Sequence, residues 1–273
     1  MKQVLFVHAG GQFPEGMFKF LYQMRLQERI HARGLFFKPV DYSALNIIST
    51  PAGATVLQEM DGKEKEVIAS QKAMFGSLCE GHYITYDIQE KGSTWDKELF
   101  VKETRFADLA LISMEMFFAE VNNNQPNSYL RSALHAAECP VVVIPESFVK
   151  IEHIFAAYDG GEESVFAIKQ FSYLFPELMH LPCEIVYAKH EESGDIPEQK
   201  DLLSFAKYRF ECLGMTKLNF DAKHCFSSWV RDKQDVMLIA GSFGRSAMSY
   251  LGRDSFVKDI IHEHSIPLFI CHK

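Results

Sequence analysis

The most informative part of this sequence for the fold is QDVMLIAGSFGRSAMSYLGRDSFVKDIIHEHSIPLFIC, Gln234 to Cys271. It begins with an apolar run typical of a buried strand, Val236 to Ala240, and continues into a turn that contains Gly241 and Gly244. An amphipathic segment that opens near Ser255 predicts a helix, and a second apolar strand closes the stretch. Glycines at a strand end let a ligand approach the backbone closely, and a helix N-terminus favours an anion. The pattern predicts a strand, an anion-binding loop, a helix and a strand.

The same pattern occurs earlier in the chain and indicates an internal duplication. Residues Ala107 to Pro145 align without a gap with Gln234 to His272, at an offset of 127 residues. The starts of the halves also match, Gln3 to Gly11 with His153 to Gly161, at an offset of 150. The first half therefore carries 23 more residues between its first and its later strands. The repeat predicts two domains, residues 1–148 and 149–273. Identical residues in the longer alignment include Asp108 and Asp235, Ile112 and Ile239, Ser128 and Ser255, His135 and His262, and Pro140 and Pro267.

Strands alternate with helices in both halves, which predicts an α/β fold. We expect two tandem Rossmann-like domains, each a mostly parallel five-stranded sheet with helices on both faces. The predicted strands are Val4–His8, Leu35–Pro39, His82–Gln89, Leu109–Ser113, Val141–Ile144, Ile154–Tyr158, Glu184–Lys189, Leu218–Lys223, Val236–Ala240 and Leu268–Cys271. The predicted helices are Glu15–Ala32, one from about Lys63, Thr94–Thr104, Glu163–Tyr173 and Lys200–Leu213. The extra segment, Asp41 to Asp61, is expected to be a loop or short helices that act as a lid or contact a partner.

Composition and charge disfavour several classes of protein for this chain. The chain of 273 residues has a net charge of −8, which gives no general attraction to nucleic acid or to an anionic membrane. Neither a signal peptide nor an apolar run of about 18 residues is found in the sequence. The six cysteines form no CxxC pair and several lie in apolar runs, so we expect reduced core residues. These features predict a soluble, cytoplasmic protein.

The duplicated halves resemble the universal stress proteins in their tandem two-domain form. The resemblance extends over essentially the whole chain and is clearer in the second half. In nucleotide-binding members of that family, the first strand ends in Asp followed by Gly. The fourth strand leads into Gly, two residues, Gly, nine residues, and then Gly with Ser or Thr. Asp159 and Gly160 stand at the first place here, and Gly241, Gly244 and Ser255 stand at the second.

The resemblance implies an adenine-nucleotide site for ATP, ADP or AMP in the second half, with Mg²⁺ accompanying the nucleotide. Asp159 would accept hydrogen bonds from the ribose or the base, and the backbone near Ala188 and Lys189 would contact the adenine edge. The phosphates would be held by Gly241, Gly244, the Ser255 hydroxyl and the Phe256 N–H, with Arg245 as a counter-charge. Ligands of open parallel sheets bind beyond the carboxyl ends of the strands, where strand order reverses. Asp159 and Gly241 are expected at that edge.

The chain departs from the family pattern at Asp254, where the third glycine is expected. A carboxylate beside a phosphate would cost roughly 1 to 4 kcal/mol, and Asp254 is also a favourable N-cap for the helix that a phosphate would use. A divalent cation between the two anions would reverse this effect. Weakened binding and loss of binding both stay open. In the first half, Ala9, Met114 and Phe117 replace Asp159, Gly241 and Gly244, so we expect no nucleotide there.

Three functions follow as alternatives: a nucleotide-binding regulatory protein, a protein of the same fold that acts through protein interaction alone, and a slow ATPase. No residue is predicted to be catalytic, because no water-activating base is identifiable near the phosphates. His262 with His264 and His224 with Cys225 do not favour a metal or a nucleophile site. Glu162, Glu163, Glu191 and Glu192 are expected to be solvated loop charges.

The two halves are expected to pair through their fifth strands, and a homodimer or an unknown protein partner stays open.

Overall fold

Apolar runs rich in β-branched and aromatic residues form the strands of this protein. A computed structural model describes residues 1–9, 12–38, 53–89, 95–114, 133–188, 195–218, 235–241 and 266–273. The strands in these ranges are β1 (Lys2–Ala9), β2 (Ile30–Phe37), β3 (Thr85–Ile88), β4 (Leu109–Ser113), β5 (Val141–Ile144), β6 (His153–Tyr158), β7 (Pro182–Ala188), β8 (Cys212–Leu218), β9 (Val236–Ala240) and β10 (Leu268–Ile270). The helices are α1 (Glu15–Gln27), α2 (Gly53–Gly81), α3 (Lys97–Arg105), α4 (Glu162–Leu174) and α5 (Gln199–Lys207).

The strands form one sheet in the order β3-β2-β1-β4-β5-β10-β9-β6-β7-β8. All neighbours are parallel except β5 and β10, which pair antiparallel with Val142 opposite Phe269. Each half thus contributes five parallel strands, and the two fifth strands join the halves into a single sheet of ten. The central strands β4, β5 and β9 are buried along their whole length, as expected for a parallel sheet covered on both faces. The predicted α/β class is confirmed.

Helices pack on both faces of this sheet. On one face, Phe18 of α1, Phe75 of α2, Phe171 of α4 and Leu202 of α5 belong to one buried cluster. On the other face, Phe100 of α3 packs with residues of a short helical turn at 133–136. The central strands therefore bury side chains on both of their faces, which explains why their sequences do not alternate between apolar and polar residues.

Aromatic side chains connect the two halves beside the β5–β10 seam. The Phe20 ring of α1 lies 5.3 Å from Phe148, in the linker after β5, and 6.0 Å from Phe175, just after α4. Phe269 of β10 lies 5.2 Å from Phe171 in α4. Edge-on packing of such rings contributes about 0.5 to 1.5 kcal/mol per pair beyond burial, so the seam is stabilised by more than its strand hydrogen bonds.

Several predicted boundaries are wrong, among them three that concern α1, α2 and β8. Helix α1 ends at Gln27, not at Ala32, because residues from Ile30 onward pair in parallel with β1. Helix α2 begins at Gly53 and not near Lys63, so the part of the extra segment after residue 52 belongs to this long helix and is neither a loop nor a separate short helix. Residues 41–52 lie outside the described ranges. Strand β8 begins at Cys212, where a helix was predicted, because this segment pairs with β7 along its whole length. Long-range pairing overrode local propensity in the first and third cases.

The structure bears on the membrane helices, metal sites and cysteines considered from the sequence. In the described ranges, no helix is long and apolar enough to cross a bilayer. Nor does any group of three or more His, Cys, Asp or Glu side chains in these ranges have an arrangement that could hold a metal ion. The described cysteines are free thiols. Cys79, Cys183 and Cys271 are buried, whereas Cys212 is exposed, so it is not a core residue as predicted.

Candidate functional site

The carboxyl ends of β6 and β9 lie side by side in the second half. The two strands are parallel neighbours with Ala156 opposite Ile239, so Asp159 and Gly241, just beyond the strand ends, lie at the same edge of the sheet. The chain passes from β6 to β7 on one side and from β9 to β10 on the other, so strand order reverses between β6 and β9. Open α/β sheets bind their ligands at this kind of crevice.

Asp159 and the two glycines after it form the turn that starts α4. Asp159 Oδ1 accepts a hydrogen bond from the Gly161 N–H at 2.8 Å, and the Ser164 hydroxyl donates to the Gly161 carbonyl at 2.7 Å. Gly160 has a φ of +86°, a left-handed conformation that strains other residues. The DGG sequence is therefore a specific turn that places a carboxylate at the strand end.

Gly241 is explained by packing against α4. A Cβ atom at this position would lie 2.7 Å from the Glu163 carbonyl carbon and 2.8 Å from the Ser164 nitrogen. Both are backbone atoms of the first helical turn, which cannot move aside as a flexible side chain would. Glycine is thus required for the end of β9 to approach α4, whether or not a ligand binds.

A segment just before α5 lies over the turn after β6. The buried Tyr158 donates a hydrogen bond from its hydroxyl to the Pro197 carbonyl at 3.0 Å. The Pro197 ring lies 3.1 Å from where a Cβ of Gly160 would be. Burial, with the nearby charges of Glu198 and Asp159, raises the pKa of Tyr158, so it stays a neutral donor. The sequence does not indicate this contact, because Tyr158 continues an apolar strand run and Pro197 belongs to a polar segment.

The acidic first turn of α4 is paired with the last residue of the chain. The Lys273 ammonium donates to Glu162 at 2.8 Å, and its backbone N–H donates to Glu163 at 2.9 Å. The Lys273 ammonium holds the pKa of Glu162 below its usual range. Both carboxylates are thus part of a helix N-terminus, where they favour the helix dipole, and are not loop charges as predicted.

The corresponding strand ends of the first half are closed by side chains. Met114, the counterpart of Gly241, is fully buried after β4, and Ala9 ends β1 where Asp159 follows β6. His8 and Ser113 connect the two strands, with 2.8 Å between Nδ1 and Oγ. His8 Nε2 lies 2.7 Å from the Gln12 carbonyl, which can only accept, so Nε2 carries the hydrogen and Ser113 donates to Nδ1. Burial lowers the pKa of His8 to about 4.

Five of the predicted site residues lie outside the described ranges: Lys189, Gly244, Arg245, Ser255 and Phe256. The same holds for Phe117, Asp254, His224, Cys225, His262 and His264. The described part of the site consists of Asp159, Gly160, Gly241 and the backbone of Ala188 at the end of β7, which the fold brings to one edge. The unforeseen Tyr158 and Pro197 lie beside them.

Comparison with solved structures shows the same fold along the whole chain. A universal stress protein from Archaeoglobus fulgidus is similar with a TM-score of 0.68 and 12% identity, over 100% of this chain and 96% of that chain. A universal stress protein candidate from Pseudomonas aeruginosa gives 0.53 and 12%, over 100% and 93%. A functionally unknown protein from the same species gives 0.54 and 13%, over 100% and 92%. Neither a protein-family model nor a curated protein sequence matches this chain. The agreement over the full length shows that this chain has the universal stress protein fold.

Proposed function

We propose that this protein is a regulatory protein of the universal stress protein type that binds an adenine nucleotide in its second half. The observation that carries the proposal is the position of Asp159 beside Gly241, where the strand order reverses. A carboxylate at this edge is suited to accept hydrogen bonds from ribose hydroxyls or a base amine. Occupancy of the site would then bias a conformation or a partner surface, in a cytoplasmic protein that takes part in a stress response.

The described contacts are compatible with that role for Asp159. A carboxylate has about four acceptor positions, and the Gly161 N–H occupies one of them. The same bond fixes the orientation of the carboxylate before a ligand arrives, which reduces the entropy lost on binding. Lys189 would lie near the adenine, and Gly244, Arg245, Ser255 and Phe256 would contact the phosphates, as the family resemblance implies.

Asp254 makes the proposed affinity dependent on a metal ion. Without one, its carboxylate would repel a phosphate at the same helix N-terminus. With Mg²⁺ or Mn²⁺ bridging the carboxylate and the phosphates, the interaction becomes attractive. We therefore expect ATP and ADP to bind more tightly with the metal, whereas a nucleoside without phosphates would be indifferent to it.

A second function is favoured by the packing of Gly241. Because a backbone contact with α4 already requires this glycine, its presence does not by itself demand a ligand. A protein of this fold that acts only through protein interaction would keep the same residue. In that case the ten-stranded sheet and its paired halves would serve as the scaffold for an unknown partner.

Calorimetric titration separates these functions. The full chain is titrated with ATP, ADP, AMP and adenosine, with and without Mg²⁺, beside Asp159→Asn and Asp254→Gly. Asp159→Asn keeps an oxygen for the Gly161 N–H but removes the charge, and we expect affinity to fall about tenfold. Glu211→Gln, an exposed carboxylate change before β8, is the matched control. Binding by none of the proteins, with the metal present, favours the interaction-only function. Binding only after Asp254→Gly would mean that the native site is closed.

A further inference from the structure

A groove of about 460 Å³ lies between α1, α2 and the linker that follows β5. Its volume is within the range of about 300 to 1,000 Å³ typical of small-molecule sites. It shares no lining residue with the strand-end site of Asp159 and Gly241, and it belongs to the first half of the chain. Aromatic rings, the linker and two carboxylates line this α1–α2 groove.

Aromatic rings form much of its wall. Phe13 and Phe18 have ring centroids 6.1 Å apart, Phe18 and His82 are 5.7 Å apart, and His82 and Tyr22 are 4.3 Å apart. Tyr22 and His82 are half-buried, so part of each ring is open to a ligand. Met74, a large apolar side chain on α2, is 39% exposed beside them. The groove therefore offers a continuous apolar surface with several π-faces.

A glycine in α1 allows the linker to complete the groove. A Cβ at Gly16 would lie 2.5 Å from the Pro145 carbonyl oxygen and 2.6 Å from that of Glu146. Only glycine permits this approach, and it brings Glu146 and Phe148 to the rim. The Gln23 amide, which donates to the Val149 carbonyl at 2.7 Å, holds the next part of the linker against α1. The groove is thus built by specific backbone packing.

The charged groups at the rim favour a cation. Glu15 and Glu146 contribute two carboxylates and Lys19 one ammonium, a formal balance of −1, in a chain of net charge −8. The Glu146 Oε2 also lies 3.4 Å from the Gly16 N–H, which orients this carboxylate at the rim. Lys19 is exposed on a long flexible stem, so its ammonium can stay in solvent. The negative faces of the aromatic rings attract cations as well.

We propose that the α1–α2 groove binds an organic cation, a quaternary or protonated amine attached to an apolar body. The apolar body packs among Phe13, Phe18 and Met74, and the cationic head lies between the Tyr22 ring and the carboxylates of Glu15 and Glu146. An anion of the same size is disfavoured by the same two carboxylates. This binding is independent of the nucleotide site.

The test uses two probes that share a benzyl group and a tetrahedral head but differ in charge, benzyltrimethylammonium and benzylphosphonate. Each is titrated into the full chain and followed by saturation-transfer NMR. We expect the cation to bind at least about tenfold more tightly than the anion and to bind more weakly at high salt. Equal binding of the two probes, or no binding of the cation up to about 10 mM, would overturn the proposal.

Variants assign the binding to this groove. Glu15→Gln changes an exposed side chain and should leave folding intact, yet lower the affinity for the cation about two- to tenfold. Tyr22→Leu keeps an apolar surface but removes a π-face, and we expect a loss of about two- to fivefold. Glu211→Gln, in the other half, is the matched charge control and should change nothing. If Tyr22→Leu unfolds the protein, the affinity of Glu15→Gln alone tests whether the cation binds in this groove. Unchanged affinity in Glu15→Gln would place the cation elsewhere and overturn the assignment.

Discussion

The Tyr158 hydroxyl donates a hydrogen bond to the Pro197 carbonyl at 3.0 Å and ties the segment before α5 to the end of β6. Because Pro197 also lies against Gly160, this bond holds a cover beside the carboxylate of Asp159. We expect that a ligand entering at the strand ends would displace this segment. The bond is therefore a point at which stability and access to the site are linked.

Tyr158→Phe should loosen the cover. Loss of a part-buried hydrogen bond is expected to cost about 0.5 to 1.5 kcal/mol of unfolding free energy and to speed amide hydrogen exchange in α5. If the cover limits access, nucleotide affinity rises in the same variant. Tyr208→Phe, at a tyrosine that is 79% exposed, is the control for removing a hydroxyl. Unchanged exchange in α5 would show that the bond does not hold the segment.

Gly241→Ala should destabilise the protein through the first turn of α4. The added methyl group meets backbone atoms of Glu163 and Ser164 within 3 Å, and overpacking of this kind costs about 1 to 3 kcal/mol. Chemical denaturation measures the change. The matched control is Gly62→Ala in α2, where a Cβ meets nothing within 4 Å. That variant should gain up to about 1 kcal/mol from helix propensity. Equal effects of the two substitutions would contradict the packing account.

The strands and the strand ends were largely predictable from sequence, for an identifiable reason. Central strands such as Leu109–Ser113 and Val236–Ala240 are continuous apolar runs, so a local pattern determines them, and the duplication repeats this pattern in both halves. The segments Ile30–Ala32 and Cys212–Leu213 carry no such run. They are strands because β1 and β7 lie beside them, and that information is not local.

The candidate site was predictable only in part. Asp159 and Gly241 follow apolar runs, and the rule for open α/β sheets places them together. The contact of Tyr158 with Pro197 joins residues 39 positions apart, with α4 and β7 between them, and no local sequence pattern indicates it. The close approach of Gly241 to α4 is likewise a property of packing, although a glycine at a strand end indicates close approach to some group.

Acid should weaken the fold through His8. The pKa of this imidazole falls from about 6.5 in the unfolded chain to about 4 in the folded protein, since burial disfavours the charged form. The unfolded state therefore binds more protons between these values, so stability is lost as pH falls from about 6.5 toward 4. The contribution is about 3 kcal/mol over the full window, at 1.36 kcal/mol per pKa unit.

Denaturation of His8→Gln at several pH values isolates this effect. The glutamine does not titrate, so between pH ~4.5 and ~6 the dependence of unfolding free energy on pH should be smaller than in the native protein by nearly one proton, about 1.4 kcal/mol per pH unit. Glutamine also costs some stability at neutral pH, and for that reason the slopes are compared and not the absolute values. Identical slopes would mean that His8 titrates normally in the folded protein.

Phe269→Ala should destabilise both halves, because β10 belongs to a sheet that continues through β5 into the first half. The side chain is fully buried against Phe171 and Phe175, and its truncation is expected to cost about 3 to 5 kcal/mol. Hydrogen exchange of β1 in the first half and β6 in the second half measures how the loss is distributed. Phe106→Ala, at a ring that is 64% exposed, is the control and should change stability by less than about 0.5 kcal/mol. A loss of protection confined to β6 would mean that the halves unfold independently despite their shared sheet. An equal loss in β1 and β6 would mean that the β5–β10 seam couples the two halves into one cooperative unit.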